Sequence, residues 1–136
     1  MSRRTQAAEA YVKALRTGES SATEQAGQYL ADDVVLATGG TGVAPRDVTP
    51  EALRAVAHRE IPGFGELMRS EGRKSTKFAS LSRGGAVTRG TTLLVSLPGS
   101  PRGAVESLNA VSDLIEHVVD LLHGRTEHKE KLGASS

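Results

Sequence analysis

The sequence predicts an α/β fold, a sheet with helices packed on it, and three observations carry the prediction. An apolar strand, a glycine-containing turn and a helix start follow one another twice, across residues 34–50 and again across residues 92–101. Both strand segments, Val34-Val35-Leu36 and Thr92–Leu97, are short and rich in β-branched and leucine residues. The longest helical pattern follows the second strand directly and carries an unbroken apolar stripe. In sheets built this way, ligands bind at the carboxyl ends of the strands.

The elements follow in chain order. Residues 5–17 place Ala8, Tyr11, Val12 and Leu15 at helical spacing, and Gly18-Glu19-Ser20 ends that helix. Ser21 with Glu24 has the form of a capping box, opening a second helix with Ala22, Ala26, Tyr29 and Leu30 on one side. Asp32-Asp33 closes it, and residues 34–38 read as a buried strand. After the glycine loop, Thr49 suits an N-cap and Pro50 a first helical position. Leu53, Val56 and Ala57 face inward, and this helix stops before Pro62-Gly63. Residues 65–72 form another short helix with Leu67 and Met68 as its apolar part. Residues 76–83 and 86–90 read as extended pieces separated by Gly84-Gly85, before the strand at 92–97. Ser100 caps and Pro101 opens the long helix, whose stripe is Val105, Leu108, Val111, Ile115, Val118, Val119 and Leu122. Gly124 supplies its stop, and residues 127–136 form a polar, flexible tail.

Composition narrows the function. The chain has 136 residues, the size of one domain with a real core. Seventeen basic and sixteen acidic residues nearly cancel, so no bulk field points to nucleic acid or a membrane surface. With two Phe, two Tyr and no Trp, stacking on bases has little to work with. There is no cysteine, hence no disulfide framework and no thiolate metal site. No apolar run is long enough to span a bilayer, and the start, Met-Ser-Arg-Arg, lacks a secretory apolar segment. The expected location is the cytoplasm.

The chemistry concentrates in residues 36–50. Gly39-Gly40-Thr41-Gly42 follows a strand, where glycines let backbone N–H groups turn inward on an anion. The helix start at Thr49-Pro50-Glu51 adds free N–H groups and partial positive charge. Asp47 is a candidate for a metal ion or a proton, against the plainer role of pairing with Arg46 or capping a turn. Ser82-Arg83 and Pro98-Gly99-Ser100 are further candidates for phosphate, against the plainer roles of a surface hydrogen bond and a helix start; arginine suits bidentate phosphate contact. The histidines offer little: His117, His123 and His128 are spaced for no metal pair on one helix face, and His58 sits among charged residues. No serine lies in a recognisable nucleophile elbow.

Taken together, these loops resemble the molybdopterin-binding family of molybdenum-cofactor biosynthesis. The motifs are Thr38-Gly39-Gly40-Thr41-Gly42, Pro45-Arg46-Asp47-Val48-Thr49-Pro50-Glu51, Arg59-Glu60-Ile61-Pro62-Gly63, Leu81-Ser82-Arg83, Arg89-Gly90 and Leu97-Pro98-Gly99-Ser100-Pro101. Their order and spacing are similar to those of bacterial molybdopterin adenylyltransferases and close relatives, over residues 33–126. The resemblance implies a three-layer α/β/α fold with a mainly parallel sheet, in which two helices replace the usual N-terminal β-α unit. It divides the chain into an atypical helical segment at 1–32, a molybdopterin-binding-like domain at 33–126 and the tail at 127–136. It also implies transfer of AMP from Mg-ATP to the terminal phosphate of molybdopterin, with magnesium carried by ATP, and a homo-oligomer, a trimer in such families. Carried over by motif, Gly39, Gly40, Thr41 and Gly42 hold phosphate or pterin. Asp47 acts on the metal or the reacting phosphate as the catalytic residue, and Ser82, Arg83, Pro98, Gly99 and Ser100 line the pterin phosphate pocket.

The first third departs from that pattern, lacking the usual strand, Ser-Asp loop and nucleotide loop, as a truncated, fused or rearranged gene would. Two rival readings follow. One is a non-catalytic pterin- or anion-binding relative without the nucleotide half. The other starts from residues 5–36, which resemble the opening helices of SnoaL-type α+β domains, and it predicts a curved antiparallel sheet around an apolar cavity. The chain after Thr38 lacks the long, aromatic-rich alternating strands such a sheet requires.

Overall fold

The computed structural model describes residues 33–125. The two N-terminal helices expected at 5–31 and the tail at 127–136 lie outside them. The elements are β1 (Val34–Thr38), α1 (Thr49–Val56), β2 (Arg59–Ile61), α2 (Pro62–Gly72), a 3-10 turn (Lys77–Leu81), β3 (Gly85–Arg89), β4 (Thr92–Leu97) and α3 (Pro101–Leu122).

The strands lie in the order β1-β4-β3-β2. β1 pairs with β4 in parallel, while β4–β3 and β3–β2 are antiparallel. The α/β class stands, but the sheet among the described residues is mixed rather than mainly parallel. The reason is local. Only Gly90 and Thr91 separate β3 from β4, and a two-residue link can join antiparallel neighbours only. Gly90 supplies the left-handed backbone that turn needs, at φ +58°.

Layering follows from strand alternation. Val34 and Leu36 of β1, with Leu93, Val95 and Leu97 of β4, join Ala104, Leu108, Val111, Ile115 and Val119 of α3 and Phe64 and Met68 of α2 in one core. Each fully buried aliphatic side chain contributes roughly 1.5–3 kcal/mol. α1 lies over the other face. Its Pro50 and Leu53 share a cleft with Val87 and Ser96, which alternate along their strands with the core residues Ala86 and Val95. Helices therefore cover both faces.

Three local expectations change. Residues 76–83 are not extended: Thr76 Oγ1 accepts from the Phe78 N–H at 3.2 Å and starts a 3-10 turn. β2 is a strand that hydrophobic patterning misses, because two of its three residues are the charged Arg59 and Glu60 at an exposed sheet edge. α2 opens at Pro62, three residues earlier than expected, since proline suits a first turn. No helix among the described residues is long and apolar enough to cross a membrane.

Candidate functional site

The parallel pair positions the site. Thr38 stands beside Leu97, so the loops leaving β1 and β4 emerge side by side at the carboxyl edge. The Gly39 N–H donates to the Leu97 carbonyl at 2.9 Å, fastening the two exits. A β-carbon on Gly99 would lie 3.2 Å from Gly39 Cα, so the loops touch backbone to backbone. Gly39 and Gly40 have φ values of +89° and +69°, which side chains rarely tolerate.

Thr49 does not cap α1, as expected of it, but opens it after Val48. Its Oγ1 donates to the Gly39 carbonyl at 2.7 Å and its N–H to the Gly40 carbonyl at 3.0 Å, so it braces the glycine turn. Arg83 braces the rest of the loop. Its N–H donates to the Thr41 carbonyl at 2.7 Å, its Nε to the Gly42 carbonyl at 2.7 Å, and its Nη2 to the Asp47 carbonyl at 2.6 Å. The guanidinium also pairs with the Glu51 carboxylate. The hydrogen bond from Arg83 holds the Glu51 carboxyl below its usual range, and the same bond raises Arg83 further.

Asp47 Oδ2 accepts from the Ala44 N–H at 3.0 Å, so the side chain folds back over its own turn. A β-carbon on Gly42 would meet that oxygen at 2.8 Å. Ser82 Oγ accepts from the Gly84 N–H at 3.2 Å, and Ser100 Oγ accepts from the Gly103 N–H at 3.1 Å as the cap of α3.

A cleft of about 450 Å³ opens where these loops meet. It brings together Thr41, Gly42, Ser82, Pro98, Gly99 and Ser100. Gly39 and Gly40 do not line it; they shape the turn behind it. Asp47 and Arg83 do not line it either, and Arg83 borders a second cleft of about 460 Å³. Patterning missed Met68, Phe78 and Leu81, which form an apolar wall, and Arg69, Arg102 and Glu106, which bring charge. Ser75 Oγ donates to Glu106 at 2.7 Å and Arg102 Nε donates at 3.0 Å, and these bonds, the serine's first, lower the Glu106 pKa. The sequence signal for Arg69 is its place four residues after Gly65, one helical turn on the same face.

The cleft thus offers a helix N-terminus, two arginines, hydroxyls and an apolar wall. That set suits a ligand combining an anionic group with a flat, weakly polar body. Among the described residues, no group of three acidic or histidine side chains gathers as a metal site. A phosphate-bound magnesium ion needs only one or two carboxylates. The Asp47 carboxylate on the glycine loop is compatible with that smaller demand. His58 is used locally, its Nδ1 accepting from the Gly90 N–H at 3.0 Å.

Comparison with known proteins gives concordant results. The family model described as "Probable molybdopterin binding domain" matches residues 8–117. The match takes in residues 8–32, where the motifs carry no resemblance. The molybdopterin adenylyltransferase of Helicobacter pylori strain J99 is 44% identical over 106 residues, covering 78% of this chain and 60% of that protein. The Escherichia coli K12 protein of the same name is 46% identical over 110 residues, covering 78% and 55%. The chain therefore spans somewhat over half the length of these curated relatives. Among solved structures, the molybdopterin biosynthesis enzyme MoaB from Thermus thermophilus superposes with a TM-score of 0.63 at 46% identity, covering 83% of this chain and 69% of that one. The molybdopterin biosynthesis Mog protein from Mycobacterium ulcerans gives 0.66 at 33% identity, covering 88% and 69%.

Proposed function

The chain belongs to the molybdopterin-binding domain family, and from that premise we propose that it acts in molybdenum cofactor biosynthesis as a molybdopterin adenylyltransferase. It binds molybdopterin and Mg-ATP and transfers AMP between them. An oxygen of the pterin's terminal phosphate attacks the α-phosphorus of ATP, the bond to the β-phosphate breaks, and pyrophosphate leaves. Such a transfer depends on holding phosphates in line more than on a strong nucleophile. One observation carries the reading: the loops after two parallel strands converge on a cleft that unites Thr41, Gly42, Ser82, Pro98, Gly99 and Ser100. Thr41 and Gly42 present backbone to a phosphate. Ser82 and Ser100 orient it, and Met68 and Phe78 flank the pterin. Asp47, on the glycine loop beside Arg83 of the second cleft, would hold the magnesium, which would neutralise charge on the triphosphate. The protein works in the cytoplasm as a homo-oligomer, a trimer, without nucleic acid or membrane partners.

A second reading, a binder that does not transfer AMP, draws on the Asp47 carboxylate, which lies outside the main cleft and caps its own turn. Incubation with molybdopterin and Mg-ATP labelled at the α-phosphate separates the two. Labelled adenylylated pterin is expected from the full chain. Pterin binding without labelled product would leave the binder. Asp47→Asn keeps an acceptor for the Ala44 N–H while removing charge, so in an enzyme it should reduce turnover at least about a hundredfold and leave pterin affinity nearly unchanged.

A further inference from the structure

We infer that Arg69 is the phosphate-anchoring cation shared by the two clefts. Its side chain lines both, as does Ser82, so it stands where their contents meet. Nη1 donates to the Ser82 carbonyl at 3.3 Å and to the Gly84 carbonyl at 3.2 Å, which fixes the plane of the guanidinium. Among the described residues, the remaining N–H groups have no protein partner and no ion pair uses Arg69. Arg83 is the contrast. Its fork is spent on two loop carbonyls and on Glu51, so it holds protein rather than ligand.

The slot for Arg69 is built by its neighbours. A β-carbon on Gly65 would come within 2.9 Å of Arg69 Nη1 and 2.7 Å of the Gly84 carbonyl. Any larger residue there would drive α2 away from the Ser82–Gly84 segment or push the guanidinium aside. A half-buried guanidinium, held on one edge and bare on the other, suits a bidentate anion. That it receives an anion rests on this geometry; that the anion is a phosphate rests on the function proposed above. In that reaction, the pterin phosphate in one cleft and the triphosphate in the other would bring their charge together at Arg69.

The probe is inorganic pyrophosphate, titrated calorimetrically into the full chain. Arg69→Met keeps the stem and removes the charge, and should weaken binding by about tenfold or more. Arg69→Lys should recover only part of that loss, because a point charge attracts phosphate but cannot grip it with two parallel N–H donors. Arg73→Met, an equal charge change one turn along and outside both clefts, should have little effect. In the unmutated chain, the Arg69 Nε–H resonance should shift in step with the binding curve, a test that survives if Arg69→Met fails to fold. Affinity within about twofold of the parent in folded Arg69→Met, an unmoved resonance, or no pyrophosphate binding by the parent would each overturn the inference. If binding depends on Arg69 but no AMP transfer occurs, the proposed activity falls and the anchor stands.

Discussion

At the scale of single residues, the two arginines at positions 69 and 83 show how little a residue type says about its task. Both carry the same charge and line the second cleft, yet Arg83 is consumed by Gly42, Asp47 and Glu51, while Arg69 keeps free donors. The motif Leu81-Ser82-Arg83 made Arg83 legible as important but not as a clamp, because spacing does not disclose which carbonyls a fork will meet. Glu51 went unread for the same reason. Its role has a pH signature. A carboxylate whose folded pKa lies below its unfolded value contributes stability above the unfolded pKa, and loses it as pH falls through the folded one. Denaturant midpoints of the parent should therefore decline below about pH 4.5, and the decline should be shallower in Glu51→Gln. Gly40→Ala tests the turn itself. With φ at +69° and Thr49 Oγ1 pressed against the added carbon, it should cost about 1–2 kcal/mol or more in chemical denaturation.

At the scale of elements, periodicity served where burial is one-sided and failed where it is not. α3 was legible because Leu108, Val111, Ile115 and Val119 form one stripe, and all are buried as that stripe requires. Its start was equally legible, since Ser100 before Pro101 is a cap before a first-turn proline, and the hydroxyl accepts from Gly103. β2 was not legible, because Arg59 and Glu60 answer to a sheet edge rather than to the core. The 3-10 turn at Lys77–Leu81 hid behind Thr76 and Phe78, two residues with strand propensity, Phe78 being left 67% exposed. Leu108→Ala should lose about 2–5 kcal/mol by denaturant unfolding, because the site is closed by β4 and α2 and leaves a cavity. Ser100→Ala should lose about 0.5–2 kcal/mol and weaken phosphate binding as well, since the start of α3 borders the cleft.

At the scale of the whole molecule, the α/β class and the sheet edge where the candidate cleft opens were readable from two strand–turn–helix repeats. The direction of the sheet was not, because the link at Gly90-Thr91 and the unread β2 decide it. The antiparallel, curved alternative fails on the parallel β1–β4 pair and on the likeness to the molybdopterin biosynthesis structures. The cleft between the β1 and β4 loops is proposed to bind molybdopterin for AMP transfer. Its most direct test is a chase of label from α-labelled Mg-ATP into molybdopterin, run beside Ser82→Trp, which fills the cleft between those loops. Adenylylated pterin is expected from the parent and none from the blocked variant. Equal product from both would contradict it.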